Sequence, residues 1–298
     1  MKVSVIIPNY NHSVFLKQRI ESIINQTFRD YEIIILDDCS TDKSRDIIDH
    51  YKTKYPDLRA YYNESNSGNP FIQWNYGVSK AKGEFVWIAE SDDYADTDFL
   101  ERTITLLKKY TDAGLVFSDS RIINEQKGKE YLASDRRAAF SNHKLEQLFN
   151  NGCDKRKSMN IFFENPIVNV SSVLFRKSTY LEAGGADTSM RFCGDWLLYI
   201  KLFLLSDIRY IPEPLNVFRL HSVSSYKIHH RSNIFLREKM KIYNFIIRNS
   251  QISALIGYLF LRKTLKVIIL RLIFMFKINK VFNIELPRVP RNVFNLIN

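Results

Sequence analysis

Glycine is scarce in this 298-residue chain: there are ten, and the first is Gly68. Phosphate cradles of the G-x-G-x-x-G and Walker A kinds need glycine where a first strand turns into a helix, so neither stands at the N-terminal strand ends. A nucleotide bound there needs its phosphates held by a metal. Cysteine is rare as well, and three of them, an odd number without paired spacing, fit a reducing compartment. Met1 leads straight into an apolar strand with no charged-then-apolar leader, so no secretory signal is expected. No internal repeat and no low-complexity tract breaks the pattern.

A hydrophobic content of 45% gives a core for one large domain, or for one domain with an appendage. Charge is unevenly divided. Residues 1–225 hold 29 Lys and Arg against 30 Asp and Glu, whereas residues 226–298 hold 14 against 2. The net charge of +11 therefore belongs to the last quarter of the chain.

Val3-Ser4-Val5-Ile6-Ile7 reads as a strand that stops at Pro8 and runs into Asn9-Tyr10-Asn11-His12. Ile33-Ile34-Ile35-Leu36 is a second strand, ending in Asp37-Asp38-Cys39-Ser40-Thr41-Asp42. Between them Val14, Leu16, Ile20, Ile23 and Ile24 recur at helical spacing from about Val14 to Asn25. Strand, crossover helix and strand form a βαβ unit, so a parallel sheet is expected. Phe85–Ala89 is a further buried strand, and it breaks into Glu90-Ser91-Asp92-Asp93. In open parallel sheets ligands bind just beyond the carboxyl ends of the strands. Clustered oxygen ligands at that place suit a divalent cation; the plainer reading is a polar loop capping the next helix.

The α/β alternation continues. Helices are expected over Thr41–Tyr55, Phe71–Lys80 and Thr97–Tyr110, with strands at Arg59–Tyr62 and Leu115–Phe117. Asn124 to Lys157 is polar and weakly periodic, which suggests an insertion or loop. Apolar order resumes at Val168–Phe175 and at Trp196–Leu205.

At this point six motifs stand in order: Val3–Asn11, Asp37–Asp42, Ala81-Lys82-Gly83-Glu84-Phe85, Glu90-Ser91-Asp92-Asp93, Gly194-Asp195-Trp196 and Phe218-Arg219-Leu220-His221. Over roughly residues 1–225 the chain resembles a family 2 glycosyltransferase with the GT-A fold. The resemblance implies an α/β fold, a Rossmann-like, mostly parallel sheet flanked by helices, with a nucleotide-sugar half at 1–120 and an acceptor half at 121–225. Residues 226–298 follow as a basic, helical C-terminal extension.

The same resemblance implies roles for particular residues. Pro8 and Tyr10 line the base pocket, and Asp38 with Asp37 accepts a hydrogen bond from base or ribose, a task suited to a group that only accepts. The plainer alternatives are a core tyrosine and a helix-capping pair. Asp92 and His221 match the family's ligands to Mn²⁺ or Mg²⁺, which neutralises charge on the leaving nucleoside diphosphate. Imidazole among oxygens favours Mn²⁺. Glu90 stands where aspartate is usual and reaches toward the ribose or a metal-bound water, beside Ser91. Asn75 flanks the donor, although Trp74 replaces the arginine that often precedes it. Asp195 matches the general base that takes the acceptor hydroxyl's proton during transfer with inversion, with a helix N-cap as the alternative. Gly194 replaces the family's usual acid before it. Trp196 is either a sugar-stacking wall or core, and 165–172 crosses the floor of the acceptor cleft.

The activity implied is transfer of a sugar from a nucleoside-diphosphate sugar, a UDP-sugar by expectation, to a hydroxyl of a glycan or lipid-linked glycan. A nucleotide-sugar binding module without activity is the rival, on the strength of Glu90 and Gly194. A sugar-1-phosphate nucleotidyltransferase would need a glycine-rich basic loop after the first strand, which is missing. The tail carries aromatics among its cations, but its long apolar runs and the near-neutral remainder argue against nucleic acid. Leu261, Leu265, Ile268, Ile269, Leu272, Met275 and Phe276 share one helical face, and Arg262, Lys263, Lys266 and Lys277 the other. No run reaches the roughly 18 uncharged residues of a spanning helix. Such a helix lies on an anionic membrane surface, here the inner face of the cytoplasmic membrane. The alternative is packing on the catalytic domain or on a second subunit as a homodimer.

Overall fold

β1 (Val3–Asn9) is buried at every position in the computed structural model of the chain, as a strand covered on both faces must be. Residues 2–136, 142–150, 161–221 and 233–249 are described. The chain divides into two units, 1–242 and 243–298.

In the first unit, α1 (Ser13–Ile24) buries Leu16, Ile20 and Ile23 and leads to β2 (Tyr31–Asp37), α2 (Ser44–Lys54) and β3 (Arg59–Tyr62). Next comes α3 (Pro70–Lys80), whose start follows from sequence: the Asn69 side chain accepts from the Phe71 N–H at 2.9 Å, and Pro70 takes the position where a missing N–H costs nothing. β4 (Phe85–Ile88), β5 (Tyr94–Ala95) and α4 (Phe99–Lys109) follow. β6 (Ala113–Asn124) pairs with a short β7 (Lys129–Leu132), and α5 (Asn142–Phe149) comes after it. Thus the polar stretch after Asn124 carries a hairpin strand and a helix, and residues 151–157 lie outside the described residues. β8 (Val173–Arg176), α6 (Lys177–Glu182), α7 (Gly194–Leu205) and β9 (Asp207–Leu220) complete the sheet, and α8 (Asn233–Asn249) crosses the boundary between the two units.

Among the described residues nine strands form one sheet in the order β3-β2-β1-β4-β8-β6-β9-β5, with β7 on β6. The first four run parallel, Val5 standing opposite both Ile33 and Trp87. β8 then runs antiparallel between β4 and β6, while β6 and β9 are parallel. The fold is thus α/β with a mixed sheet, parallel over its N-terminal half. Two aromatic side chains join β4 and α4 in the core: Trp87 stacks on Phe99 at 4.5 Å, and both are fully buried in one cluster with Val5, Ile7 and Leu174. Gly83 allows close approach of chains before β4, because a Cβ there would meet the Ser4 backbone nitrogen at 2.6 Å.

Chain direction fixes the site. β2 and β4 flank β1 on opposite sides, so the strand order reverses at β1 and opens a crevice beyond the carboxyl ends of β1 and β4. The tail segment 250–298, with its amphipathic pattern, lies outside the described residues. Among the described residues no helix is long and apolar enough to cross a membrane.

Candidate active site

Without glycine, the ends of β1 and β2 are stitched together by short polar side chains. Asn11 takes a left-handed φ of 55°, which asparagine tolerates, and its Oδ1 accepts from the Thr41 N–H at 2.8 Å. Asp37 is spent on protein donors: Asn9 Nδ2 at 3.1 Å, the Ser40 N–H at 3.0 Å and Arg45 Nε at 2.9 Å. Asp38 accepts from Asn63 Nδ2, the Ser67 N–H and Gln73 Nε2 on one oxygen, and from the Ser67 hydroxyl at 2.7 Å on the other. Asp42 binds the N–H groups of Ser13 and Ser44, at 2.8 and 2.9 Å, near the starts of α1 and α2. Pro8 is buried in β1, and Tyr10 just beyond it is 44% exposed.

The loop after β4 is held from three directions. Asp93 accepts from Ser171 Oγ at 2.7 Å, Asn169 Nδ2 at 2.8 Å and the Arg219 N–H at 3.1 Å. Arg19, fully buried against Trp87, donates through Nε to the Glu90 carbonyl at 2.8 Å and places its guanidinium 4.0 Å from Asp93. Burial pulls Arg19 down to about 10 against the opposing pull of Asp93, and it pushes Asp93 up to about 6. Arg219 of β9 donates to the Asp92 carbonyl at 2.8 Å, and two residues on, His221 Nε2 lies 2.9 Å from Asp92 Oδ2. β5 secures the same meeting by pairing with β9, Tyr94 opposite Val217.

His12, Asp92 and His221 bring one ligand atom each to within 4.8 Å of one another. Burial works to raise Asp92, but the His221 hydrogen bond holds it below the usual carboxylate range, in its ligating form. Burial lowers His12 and favours the neutral imidazole that a metal requires. Two imidazoles and a carboxylate fit a divalent transition metal.

Beside this cluster opens a cleft of about 430 Å³. Glu90, Asp92, Asp93, Asn165, Asn169, Asp195 and Trp196 are among the residues that line it. Glu90 accepts from Trp74 Nε1 at 2.7 Å, and desolvation raises it to about 8. Asp195, in the first turn of α7, accepts from Asn165 Nδ2 at 3.1 Å, and desolvation raises it to about 7. That value lets a carboxylate act as a base near neutrality. Gly194 before it is dictated by packing, since a Cβ would meet the Phe71 ring at 2.5 Å. Trp196 is 5% exposed, lines the cleft, and donates to the Ile161 carbonyl at 2.7 Å.

Of the residues read from sequence, Glu90, Asp92, Asp195 and Trp196 line the cleft, and His221 adjoins it through Asp92. Pro8, Tyr10, Asp37 and Asp38 sit together at the ends of β1 and β2, outside that lining. Asn75 faces another way. Its amide binds the Tyr180 hydroxyl and both the N–H and the carbonyl of Ala186, bracing the turn at Gly184 and Gly185. Ser91 is buried with its hydroxyl 2.8 Å from His12 Nδ1. Sequence reasoning gave no role to His12, Arg19 or Glu238. His12 follows β1 by three residues, and adjacency of β1 to β4 was the signal that places it opposite the acids.

The sheet is parallel over its N-terminal half, an acid-and-histidine cluster stands at its switch point, and Asp195 lines the same cleft as Asp92. The model of glycosyl transferase family 2 matches residues 4–180, and the chain belongs to that family. It is 40% identical over 111 residues to the poly(ribitol-phosphate) beta-glucosyltransferase of Bacillus spizizenii, covering 37% of this chain and 18% of that one. It therefore spans less than a fifth of that relative's length. Staphylococcus aureus TarS 1-349 in complex with UDP-GlcNAc superposes with a TM-score of 0.67 at 21% identity, over 85% of this chain and 68% of the other. The mannosyltransferase PcManGT from Pyrobaculum calidifontis, in complex with GDP-Man and Mn²⁺, gives 0.63 at 17% identity, over 85% and 66%. These two likenesses establish the GT-A-type fold.

Proposed function

We propose that this chain is a metal-dependent, inverting glycosyltransferase that moves a sugar from a UDP-sugar to a hydroxyl of a glycan or lipid-linked glycan in surface-polysaccharide assembly. The observation that carries the reading is Asp195: one carboxylate with a pKa near 7 shares a cleft with the Asp92 loop.

The chain's own groups divide the work. The polar ends of β1 and β2, with Tyr10, Pro8 and Asp38, take the nucleoside. Among the described residues Asp38 Oδ2 has a single protein donor and so retains capacity to accept one more hydrogen bond. Asp92 and His221 hold Mn²⁺ or Mg²⁺, which when bound neutralises charge on the leaving diphosphate. Glu90 is held beside the donor by the hydrogen bond that it accepts from Trp74 Nε1. Asp195 accepts the proton of the acceptor hydroxyl, and Asn165 orients it by donating to its Oδ2. Phe163, Ile167 and Trp196 supply apolar wall against which a sugar ring can lie. The basic tail holds the protein on the anionic inner face of the cytoplasmic membrane, where a lipid-linked acceptor is presented.

Asp195→Asn keeps shape and removes basicity, so transfer should fall at least about a hundredfold while donor affinity hardly changes. In the unsubstituted protein kcat/KM should rise with pH through about 7, as Asp195 loses its proton. Near-normal turnover of the variant contradicts the assignment, and so does loss of donor binding.

A further inference from the structure

We propose that His12 is a third protein ligand, so that His12, Asp92 and His221 hold a divalent cation before any nucleotide arrives. The proposal rests on the reading of Asp92 and His221 as the cation's ligands and goes beyond it. A cation gripped by one carboxylate and one imidazole depends on the donor's phosphates to complete its shell. Three protein ligands, two of them imidazoles, leave open positions yet bind unaided, as catalytic metal sites with three protein ligands do.

The surroundings of His12 set it up for the task. Its ligand atom lies within 4.8 Å of those of Asp92 and His221, the dimension of a shell around one ion. It stands at the N-terminus of α1, but its side chain makes no capping bond there; only its carbonyl serves the helix, accepting from the Phe15 and Leu16 N–H groups at 2.9 Å. Its Nδ1 is instead 2.8 Å from Ser91 Oγ; in the tautomer that donates from Nδ1 to this hydroxyl, Nε2 carries the lone pair for the ion. A ligating histidine orients itself by such a bond through its other nitrogen. Ser91 is 1% exposed, so this orienting partner is fixed. The two imidazoles meet edge to face at 5.7 Å, and Phe15 packs on His221 at 4.9 Å, which restrains both rings without ion or substrate. The left-handed Asn11 turn, tied to the Thr41 N–H, brings His12 out of β1 and across to the β4 loop.

The test is a titration of the full chain, stripped by chelator, with Mn²⁺ alone, following free Mn²⁺ by electron paramagnetic resonance. One ion per chain should bind without nucleotide. His12→Asn preserves a polar atom near the Nδ1 position and removes Nε2, and it should weaken this binding at least about tenfold, as His221→Ala should. Melting temperatures of the metal-free proteins identify any variant that has lost its fold. Ser91→Ala, which leaves every ligand in place, should then weaken Mn²⁺ binding severalfold. Repeating the titration with UDP present separates this inference from the function above. Mn²⁺ that binds only with UDP overturns the preformed site and leaves metal-dependent transfer standing. Equal Mn²⁺ affinity of folded His12→Asn and unsubstituted protein overturns the role of His12, and absence of binding with and without UDP overturns both readings.

Discussion

Glu90 keeps its proton to about pH 8 because burial outweighs the Trp74 hydrogen bond. In the unfolded chain the same carboxyl ionises near 4.5. Between those values the folded state holds a proton that the unfolded state has released, so stability falls as pH rises through that window. Glu90→Gln keeps the acceptor for Trp74 and removes the titration. In metal-free protein it should raise the melting temperature at pH 9 by a few degrees, since about 1 kcal/mol moves a domain of this size by about 2–4 °C. At pH 4 it should change little. An equal gain at both pH values would show that Glu90 is not held neutral. The acids after β4 were legible in sequence as a cluster, because three carboxyls follow an apolar strand. Their division of labour was not: Asp93 is absorbed by Ser171, Asn169 and Arg219, contacts that only the fold brings together. His12 was unreadable for the same reason, a lone histidine whose partners lie some 80 and 209 residues away in sequence.

Among the elements, the βαβ start was legible down to single residues, since strands buried on both faces are continuous apolar runs and the helices between them carry one apolar stripe. β9 escaped because Pro212 and Pro214 punctuate it, and prolines argue against a strand. The sheet accommodates them with register shifts opposite Ser118, Asp119 and Ser120. α8 contributes a link that no motif announced. Its Glu238, 4% exposed, accepts from the backbone N–H groups of Arg191, Phe192 and Cys193 at 2.7, 3.0 and 2.7 Å, directly before α7 and Asp195. Phe235 and Lys239 of the same helix line the cleft. Glu238→Ala leaves those donors without their acceptor, at a cost of about 1–3 kcal/mol. The melting temperature should fall, and KM for the acceptor should rise more than KM for the donor. Glu238→Gln, with one acceptor oxygen, should fall between. Unchanged stability and kinetics in the alanine variant would reduce α8 to a surface helix.

At the scale of the whole molecule, charge separates two regions: a nearly neutral part through residue 225 and a tail with 14 basic residues against 2 acidic. The amphipathic pattern from Leu261 to Lys277 gives the tail its expected partner, an anionic lipid surface. The full chain should sediment with anionic liposomes, less so as salt rises, and deletion of residues 250–298 should abolish this. A chain that stays in the supernatant at low salt would make the tail a packing or oligomer element. The proposed function turns on Asp195 serving direct displacement on a nucleotide-sugar. Proton NMR of the full chain with Mn²⁺ and a panel of α-linked UDP-sugars, water standing in for the acceptor, tests it most directly. One donor should release its sugar first as the β anomer, EDTA should stop the release, and Asp195→Asn should abolish it. First appearance of the α anomer, or release that Asp195→Asn leaves intact, would contradict it.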